Sequence, residues 1–109
     1  MVPRVPDISH LQFLALGVLL PEEQPGRAIR AAVARFGVRR SAAAFYQFMS
    51  RLERDGLVEG WYEQVQAGDQ LVTERRYRIT AAGVRTWKQT RAFYEAVELA
   101  ATRQGLSNA

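Results

Sequence analysis

Residues 41–64 have the sequence SAAAFYQFMSRLERDGLVEGWYEQ, and this stretch decides the fold. Ser41 is a good N-cap, because its hydroxyl can accept a hydrogen bond from an unpaired N–H of the first helical turn. An apolar stripe follows at helical spacing, made of Phe45, Phe48, Met49 and Leu52. The opposite side carries small and polar residues, namely Ala43, Gln47, Ser50 and Arg54. Gly56 marks the helix end and residues 57–64 are extended in character, so the stretch predicts a helix with one free face that leads into a hairpin.

The composition limits the class of protein. At 109 residues the chain is long enough for one domain with its own core. It contains no cysteine and one histidine, which excludes disulfides, thiolate chemistry and an ordinary Cys/His zinc site, so no metal or cofactor is expected. A net charge of +4 favours a polyanionic partner, although an arginine-rich composition can also reflect the genome.

The sequence shows no signal for a membrane. Its longest apolar run, residues 13–20, is too short to cross a bilayer. It follows neither a signal-type charged region nor a cleavage site. Together with the lack of cysteine, this predicts a soluble, cytoplasmic protein without membrane contact.

The segments before residue 41 predict an arm and two helices. Residues 1–7 carry two prolines and no periodicity, so we expect an extended or frayed arm. Ser9 can cap a helix to about residue 19, whose apolar face is made of Leu11, Leu14, Ala15, Val18 and Leu19. After the PEEQPG break a second helix ends at Gly37, and its predicted inward residues are Ile29, Ala32, Val33 and Phe36. Residues 38–40 complete a helix-turn-helix.

The segments after residue 56 predict a hairpin and a long helix. Residues 57–79 form two extended runs around a turn at 67–69, with Tyr77 and Ile79 facing the helices and Arg76 and Arg78 opposite. Thr80 caps a helix from 81 to about 103, and the QGLSNA tail is expected to fray. The predicted fold is mainly α with a small β-hairpin. It comprises a winged helix-turn-helix domain at 1–80, with the arm at 1–7 and the wing at about 57–79, and a C-terminal helix and tail at 81–109.

Two motifs resemble the PadR family of bacterial transcriptional regulators. FYQFMSRLERDGLVEG, residues 45–60, is similar to the family's recognition helix with its Arg-Leu-Glu and Gly-Leu-Ile/Val. ERRYRITAAG, residues 74–83, is similar to its arginine-rich strand and the start of the next helix. The resemblance covers residues 11 to about 87, and the length is that of the subgroup with a single C-terminal helix. The sequence departs from the family at three places. Of the His-Gly-Tyr before the second helix only Gly26 remains, Ala43 and Ala44 stand where the recognition helix commonly has Gly-Thr, and Arg76 replaces a tyrosine at the end of the wing. These departures put the operator sequence in doubt more than the fold.

The resemblance implies a DNA-binding surface on the third helix and the wing. The candidate contacts are Arg39, Arg40, Ser41, Ala43, Tyr46, Gln47, Ser50, Arg75, Arg76 and Arg78. Tyr46 would reach a phosphate, and the face with Ala43 and Gln47 would enter the major groove, where glutamine can bond adenine and an alanine methyl can meet a thymine methyl. The arginines are candidate phosphate anchors, those before Ser41 acting together with the helix N-terminus. The alternatives are solvated charges for the arginines and a packing role for Tyr46.

The family's C-terminal helix makes a homodimer, and two-fold symmetry would double the DNA contact of a small domain. The candidate interface residues are Leu11, Trp87, Tyr94, Val97 and Ala101. The alternative is that the apolar stripe of the C-terminal helix covers only the core of its own domain. Family members also sense small aromatic compounds, for which the candidate contacts are Trp87, Phe93 and Tyr94, although one aromatic residue per turn is more often core or interface.

The function implied by the resemblance is that of a sequence-specific, homodimeric regulator that binds double-stranded DNA and represses transcription by excluding polymerase. The alternative is a winged-helix protein-interaction module without DNA binding, which the weak base-reading face and the charge of only +4 also suit. An enzyme is disfavoured, because the sequence has no Gly-rich phosphate loop, nucleophile motif or metal cluster.

Overall fold

The computed structural model describes residues 4–107, with side chains as far as residue 103. The first three residues of the predicted arm and the last two of the tail lie outside this range. The elements are α1 (His10–Leu19), β1 (Gln24–Pro25), α2 (Gly26–Arg35), α3 (Ala42–Arg54), β2 (Val58–Ala67), β3 (Gln70–Ile79) and α4 (Ala81–Ser107). The prediction of a mainly helical fold with a small antiparallel sheet is confirmed.

α3 forms where the sequence predicted it, and for the predicted reasons. The Ala44 N–H donates to the Ser41 hydroxyl at 3.2 Å, and Gly56 follows the helix with a φ of 75°. The apolar stripe enters the core, because Phe45, Met49 and Leu52 are fully buried. Residues from the other elements complete that core, namely Ala15, Leu16, Leu19, Ile29, Val33, Val58 and Tyr77.

α1 and α2 pack against this core with two differences from the predicted faces. α1 starts at its predicted cap, Ser9, but its buried face is centred on Leu16, which the predicted stripe omitted. In α2 the prediction for Phe36 was wrong, since its side chain is 69% exposed. The reason is that α2 ends at Arg35, so Phe36 no longer continues the buried helical face.

The wing is a three-stranded sheet rather than a hairpin alone. Its strand order is β1-β3-β2, and both pairings are antiparallel. β1 lies in the PEEQPG segment, where Gln24 pairs with Tyr77 and Pro25 with Arg76. The long strands β2 and β3 meet in a two-residue turn with Gly68 at a φ of 64°. Glycine takes a positive φ without steric cost, as the first turn position of a type II′ hairpin requires.

Thr80 joins the sheet to α4. Its Oγ1 donates to the carbonyl of Gly56 at 2.7 Å and accepts from the Gly83 N–H at 3.0 Å, so one hydroxyl links the end of α3 to the start of α4. The chain segments are so close here that a Cβ on Gly83 would collide with the carbonyl oxygen of Leu57. The joint therefore fixes where α4 begins and in which direction it leaves.

α4 is longer than predicted and reaches past the rest of the domain. It continues to Ser107 through the segment expected to fray, because a glycine such as Gly105 costs a helix only about 1 kcal/mol. α1 runs alongside the first half of α4 and begins at His10, opposite Tyr94. The radius of gyration of 17.1 Å exceeds the value of about 13 Å for a compact domain of this length, because α4 extends beyond the rest of the domain. None of the helices in residues 4–107 has the length and apolar character to span a membrane.

Candidate nucleic-acid interface

The outer side of α3 is a row of four exposed residues, Ala43, Gln47, Ser50 and Arg54. Spacings of four and three residues place them on one line along the helix. The Ser50 hydroxyl donates to the carbonyl of Tyr46 at 2.9 Å, whereas the Gln47 amide makes no hydrogen bond within the described part of the chain. No residue in the described part of the chain covers this row, so it is open to a partner.

The turn before α3 adds two exposed cations. The carbonyl of Arg40 accepts from Arg30 Nε at 2.9 Å, and that of Arg39 accepts from Arg40 Nη1 at 3.0 Å, which holds the turn in place. Neither Arg39 nor Arg40 has an acidic partner among residues 4–107. Both lie next to the N-terminal end of α3, where Ser41 caps the helix and the helix dipole also favours an anion.

Positive charge is concentrated in the helix-turn-helix. Residues 26–55 contain only two acidic residues but seven arginines, namely Arg27, Arg30, Arg35, Arg39, Arg40, Arg51 and Arg54. Residues 56–80, which include the wing, contain three arginines and four acidic residues. The net charge of +4 therefore understates the local charge around α3.

Tyr46 packs with its ring and leaves its hydroxyl in a groove. The ring lies over Gly26, where an added Cβ would come within 2.6 Å of Tyr46 Cε1, and it meets Phe45 edge-on at 5.7 Å. Gly26 therefore makes room for the half-buried ring. The groove separates α3 from the hairpin, has a volume of about 620 Å³ and is also lined by the hydroxyl-bearing Ser50, Tyr62 and Thr73.

Arg75, a candidate phosphate contact, is held by Glu53 within the fold. Its Nη2 donates to both carboxylate oxygens of Glu53, at 3.0 and 2.8 Å, and its side chain is only 22% exposed. The guanidinium carbon lies 4.7 Å from the ring centre of Tyr62 and 5.5 Å from that of Tyr77. Burial alone would lower the pKa of Arg75, but its contacts with Tyr77 and Glu53 outweigh burial and raise the pKa. Burial also raises the pKa of Tyr77. Arg75 is thus occupied within the fold.

Arg76 projects from the strand face opposite Tyr77, as predicted, but it too is occupied by carboxylates. Its side chain is 19% exposed, and Nη1 donates to Glu74 at 2.7 Å. Its Nε lies 3.1 Å from a carboxylate oxygen of Glu63 and 3.8 Å from one of Glu23. Three carboxylates from the loop after α1 and from both long strands therefore surround this arginine.

Arg78 remains at the surface, but it too is paired. Its side chain is 60% exposed, Nε donates to Glu59 at 2.8 Å, and the guanidinium lies 5.9 Å from the ring centre of Trp61. Between residues 62 and 73 the wing has no cation, and Tyr62 and Leu71 are exposed at 72% and 65%. The wing arginines are thus paired with carboxylates, whereas Arg39 and Arg40, in the turn before α3, have no carboxylate partner among the described residues.

Sequence reasoning missed Arg27, Tyr62 and Thr73 as groove residues. They come from α2, β2 and β3, which approach each other only in the folded chain. Strand alternation was the available signal: with the register known, Tyr62 and Thr73 fall on the same face as Tyr77. No local motif supplies that register.

The predicted dimer residues divide into two groups. Trp87 stacks on Phe13 with ring centres 5.5 Å apart and packs on Gly17, where an added Cβ would lie 3.1 Å from its indole nitrogen. Leu11 is half-buried against the same core. In contrast Tyr94, Val97 and Ala101 are exposed. The first group serves the chain's own α1–α4 contact. In the second group Tyr94 also touches α1, through His10 and Phe13, whereas Val97 and Ala101 are exposed farther along α4.

The predicted effector residues form part of an aromatic cluster. Phe93 meets Tyr94 edge-on at 5.4 Å, and Tyr94 stacks on His10 at 6.0 Å, so the cluster bridges α4 and α1. Trp87 joins it through Phe13, which lies between Trp87 and Tyr94. His10, the single histidine of the sequence, is therefore a packing partner of α4.

Solved structures share this fold. No protein-family model and no curated protein sequence matches the chain. A PadR family transcriptional regulator from Eggerthella lenta is 26% identical, with a TM-score of 0.64 over 86% of this chain and 80% of that one. A PadR family transcription regulator from Clostridium difficile is 15% identical, with a TM-score of 0.73 over 87% of this chain and 97% of that one.

A third structure, Bacillus subtilis PadR, was solved in complex with operator DNA. It is 18% identical, with a TM-score of 0.57 over 73% of this chain and 45% of that one. The first two are named as regulators of transcription, which agrees with the expectation that this chain is not an enzyme. The resemblance found in the sequence is thus confirmed, and the chain has the fold of the PadR-like winged-helix transcriptional regulators.

Proposed function

We propose that this protein is a sequence-specific, DNA-binding transcriptional regulator whose DNA-binding unit is residues 1–80. The observation that carries the proposal is the bare row of α3 beside the most basic part of the chain. A helix of this size fits the major groove of B-DNA, which is about 12 Å wide. Bacillus subtilis PadR, which shares the fold, was solved in complex with operator DNA, and this supports DNA binding by the present chain.

The contacts follow from the chemistry of the exposed groups. The amide of Gln47 can donate to and accept from adenine, and the methyl of Ala43 can contact a thymine methyl, so we expect a weak preference for A·T steps. Arg39 and Arg40 would neutralise phosphates together with the N-terminus of α3. The hydroxyls in the groove, including that of Tyr46, would serve as neutral phosphate donors.

The proposed regulator is a homodimer joined by residues 81–109. The second half of α4 has an exposed apolar side, which begins opposite the start of α1 and continues past it. Its residues are Tyr94, Val97 and Ala101. A two-fold dimer would place two α3 helices about 34 Å apart on one face of DNA. Bound over a promoter, such a dimer would exclude polymerase, which makes repression in the cytoplasm the proposed mode of action.

The proposal includes a small aromatic effector at the aromatic cluster of Trp87, Phe93 and Tyr94. A ring inserted there would move α4 against α1 and so change the spacing of the two α3 helices. Because the chain has two tryptophans, a Trp61→Phe variant reports on Trp87 alone. Saturable quenching by aromatic acids or amines is expected, and a flat titration across such a panel would remove the effector from the proposal.

DNA binding is tested by selecting bound duplexes from a random pool and measuring their affinity by fluorescence anisotropy. Gln47→Ala should weaken binding to the selected duplex about tenfold, the effect of one good base contact. Gln89→Ala, an equally exposed glutamine on α4, is the matched control and should leave affinity unchanged. If wild type shows no salt-sensitive binding to any duplex, the protein-interaction module becomes the better interpretation.

A further inference from the structure

We propose that Glu53 is a positioning residue that fixes the angle between α3 and the wing. The effect of this angle on DNA affinity rests on the proposed function, whereas the angle itself can be measured without DNA. Glu53 lies in the last turn of α3, on the side that faces the hairpin, and the row for base contacts lies on another side of the same helix. Its carboxylate is thus placed to link the two parts.

The Glu53 carboxylate contacts both long strands at once. Its Oε1 accepts from the backbone N–H of Gly60 in β2 at 3.2 Å, and Arg75 in β3 donates to Oε1 and Oε2 at 3.0 and 2.8 Å. Charge-assisted bonds of this kind are the stronger ones, and two acceptor atoms restrict the angle between the partners. The strands therefore cannot tilt relative to α3 without breaking this contact.

The surroundings hold Arg75 in the geometry that Glu53 needs. The guanidinium lies against the rings of Tyr62 and Tyr77. Gly60 leaves the space for it, since an added Cβ would come within 2.8 Å of Arg75 Nη2 and 2.9 Å of Tyr77 Cε1. Tyr77 belongs to the buried core, so the contact between Glu53 and Arg75 lies directly against that core.

No other α3 side chain described in residues 42–54 hydrogen-bonds or ion-pairs with the hairpin. The pair of Arg78 and Glu59 lies within the hairpin itself, and Arg76 reaches the loop before β1 rather than α3. From residue 61 to residue 73 no side chain is buried. The direction of this long outer part is consequently set at its base, where Glu53 binds.

The first experiment measures the wing angle in the protein without DNA. The sequence has no cysteine, so spin labels can be attached at Ala44→Cys on α3 and Gln64→Cys on β2, both exposed. Labelled protein is diluted with unlabelled protein so that only distances within one chain contribute. Glu53→Gln, which keeps the size but loses the charge, should broaden the distance distribution. Glu59→Gln breaks the ion pair inside the hairpin and should leave the distribution as narrow as in wild type.

Arg75→Gln breaks the same contact from the wing side and serves as the second variant if Glu53→Gln fails to fold. A distribution that stays narrow in a folded Glu53 or Arg75 variant would overturn the proposal. In the control variant, Glu59→Gln, a narrow distribution is the expected result. Broadening in Glu59→Gln as well would also contradict it, because any loss of charge in the wing would then have the same effect.

The second experiment asks what the angle contributes to DNA binding. Affinity is measured for the selected duplex and for a shortened duplex that lacks the flanks the wing would reach. Glu53→Gln should lose about tenfold in affinity for the long duplex and little for the short one, so that the gain from the flanks disappears. An unchanged gain would contradict the role in binding. If wild type binds neither duplex, the proposed function fails, while the spin-label result still decides whether Glu53 sets the angle.

Discussion

Exposure and carboxylate partners separate the arginines that are occupied within the fold from those we propose to contact DNA. Arg75 and Arg76 are about four-fifths buried and lie among carboxylates, so a phosphate would have to displace an existing partner. Arg39 and Arg40 are exposed without an acidic partner in residues 4–107. When a solvated guanidinium neutralises a phosphate, cations condensed on the DNA are released, which is the origin of salt-dependent binding.

We therefore predict opposite behaviour for Arg39→Gln and Arg76→Gln. Arg39→Gln should lower the slope of log K against log salt by about one unit and leave the unfolding free energy unchanged. Arg76→Gln should leave that slope unchanged and cost about 2 kcal/mol of stability, because three carboxylates lose their shared partner. Titrations at several salt concentrations and urea unfolding measure the two quantities. A lower salt slope in Arg76→Gln would show that the wing arginine binds phosphate after all.

At the scale of elements, the joint between sheet and α4 sets how the C-terminal helix leaves the domain. The backbone of Leu57 meets the first turn of α4 at Gly83, and Thr80 bonds both sides of the joint. A carbonyl of the main chain cannot rotate away as a side chain can. The direction of α4, and with it any dimer geometry, thus depends on the absence of a side chain at this position.

Gly83→Ala should consequently destabilise the domain by about 3 kcal/mol, despite alanine's better helix propensity. Ala81→Gly, in the same turn but exposed, should cost about 1 kcal/mol or less through propensity alone. Thermal or urea unfolding compares the two variants. A Gly83→Ala protein as stable as wild type would mean that the start of α4 can shift outward without loss.

The elements were predictable where local signals specify them. The caps at Ser9, Ser41 and Thr80 and the glycine at 56 are local, and each lies where the sequence predicted an element boundary. β1 was missed because two residues pair with a strand some fifty positions away, and no periodicity reports such a pairing. The partners of Arg75 and Arg76 were missed for the same reason, since Glu53 and Glu23 meet them only after folding.

At the scale of the whole molecule, the first half of α4 packs on α1 and the second half is exposed. Trp87 packs on α1 within its own chain, so replacing it with glutamate would damage the core and would not isolate a dimer contact. Val97 is 48% exposed and lies past Tyr94, where α1 no longer covers the helix. An apolar helix side of this kind is the usual form of a homodimer contact.

Val97→Glu should therefore convert the proposed dimer to a monomer while the domain stays folded. Burying an unpaired carboxylate at each of two symmetric positions costs about 2 kcal/mol or more per site, enough to shift dissociation into the micromolar range or above. Light scattering coupled to size exclusion gives the mass, and circular dichroism confirms folding. Glu98→Gln, the next residue on the helix, serves as the control and should remain dimeric. An unchanged mass for Val97→Glu would exclude this part of α4 from the interface.

The most direct test of the central claim is to map the bound surface by backbone amide NMR, titrating isotope-labelled protein with the selected duplex. We predict that the largest shift changes fall on α3 and the turn before it, at Ala43, Gln47 and Ser50 and at Arg39 and Arg40. Changes confined to α4, or changes absent from α3 at saturating DNA, would contradict the assignment of this helix face to DNA recognition.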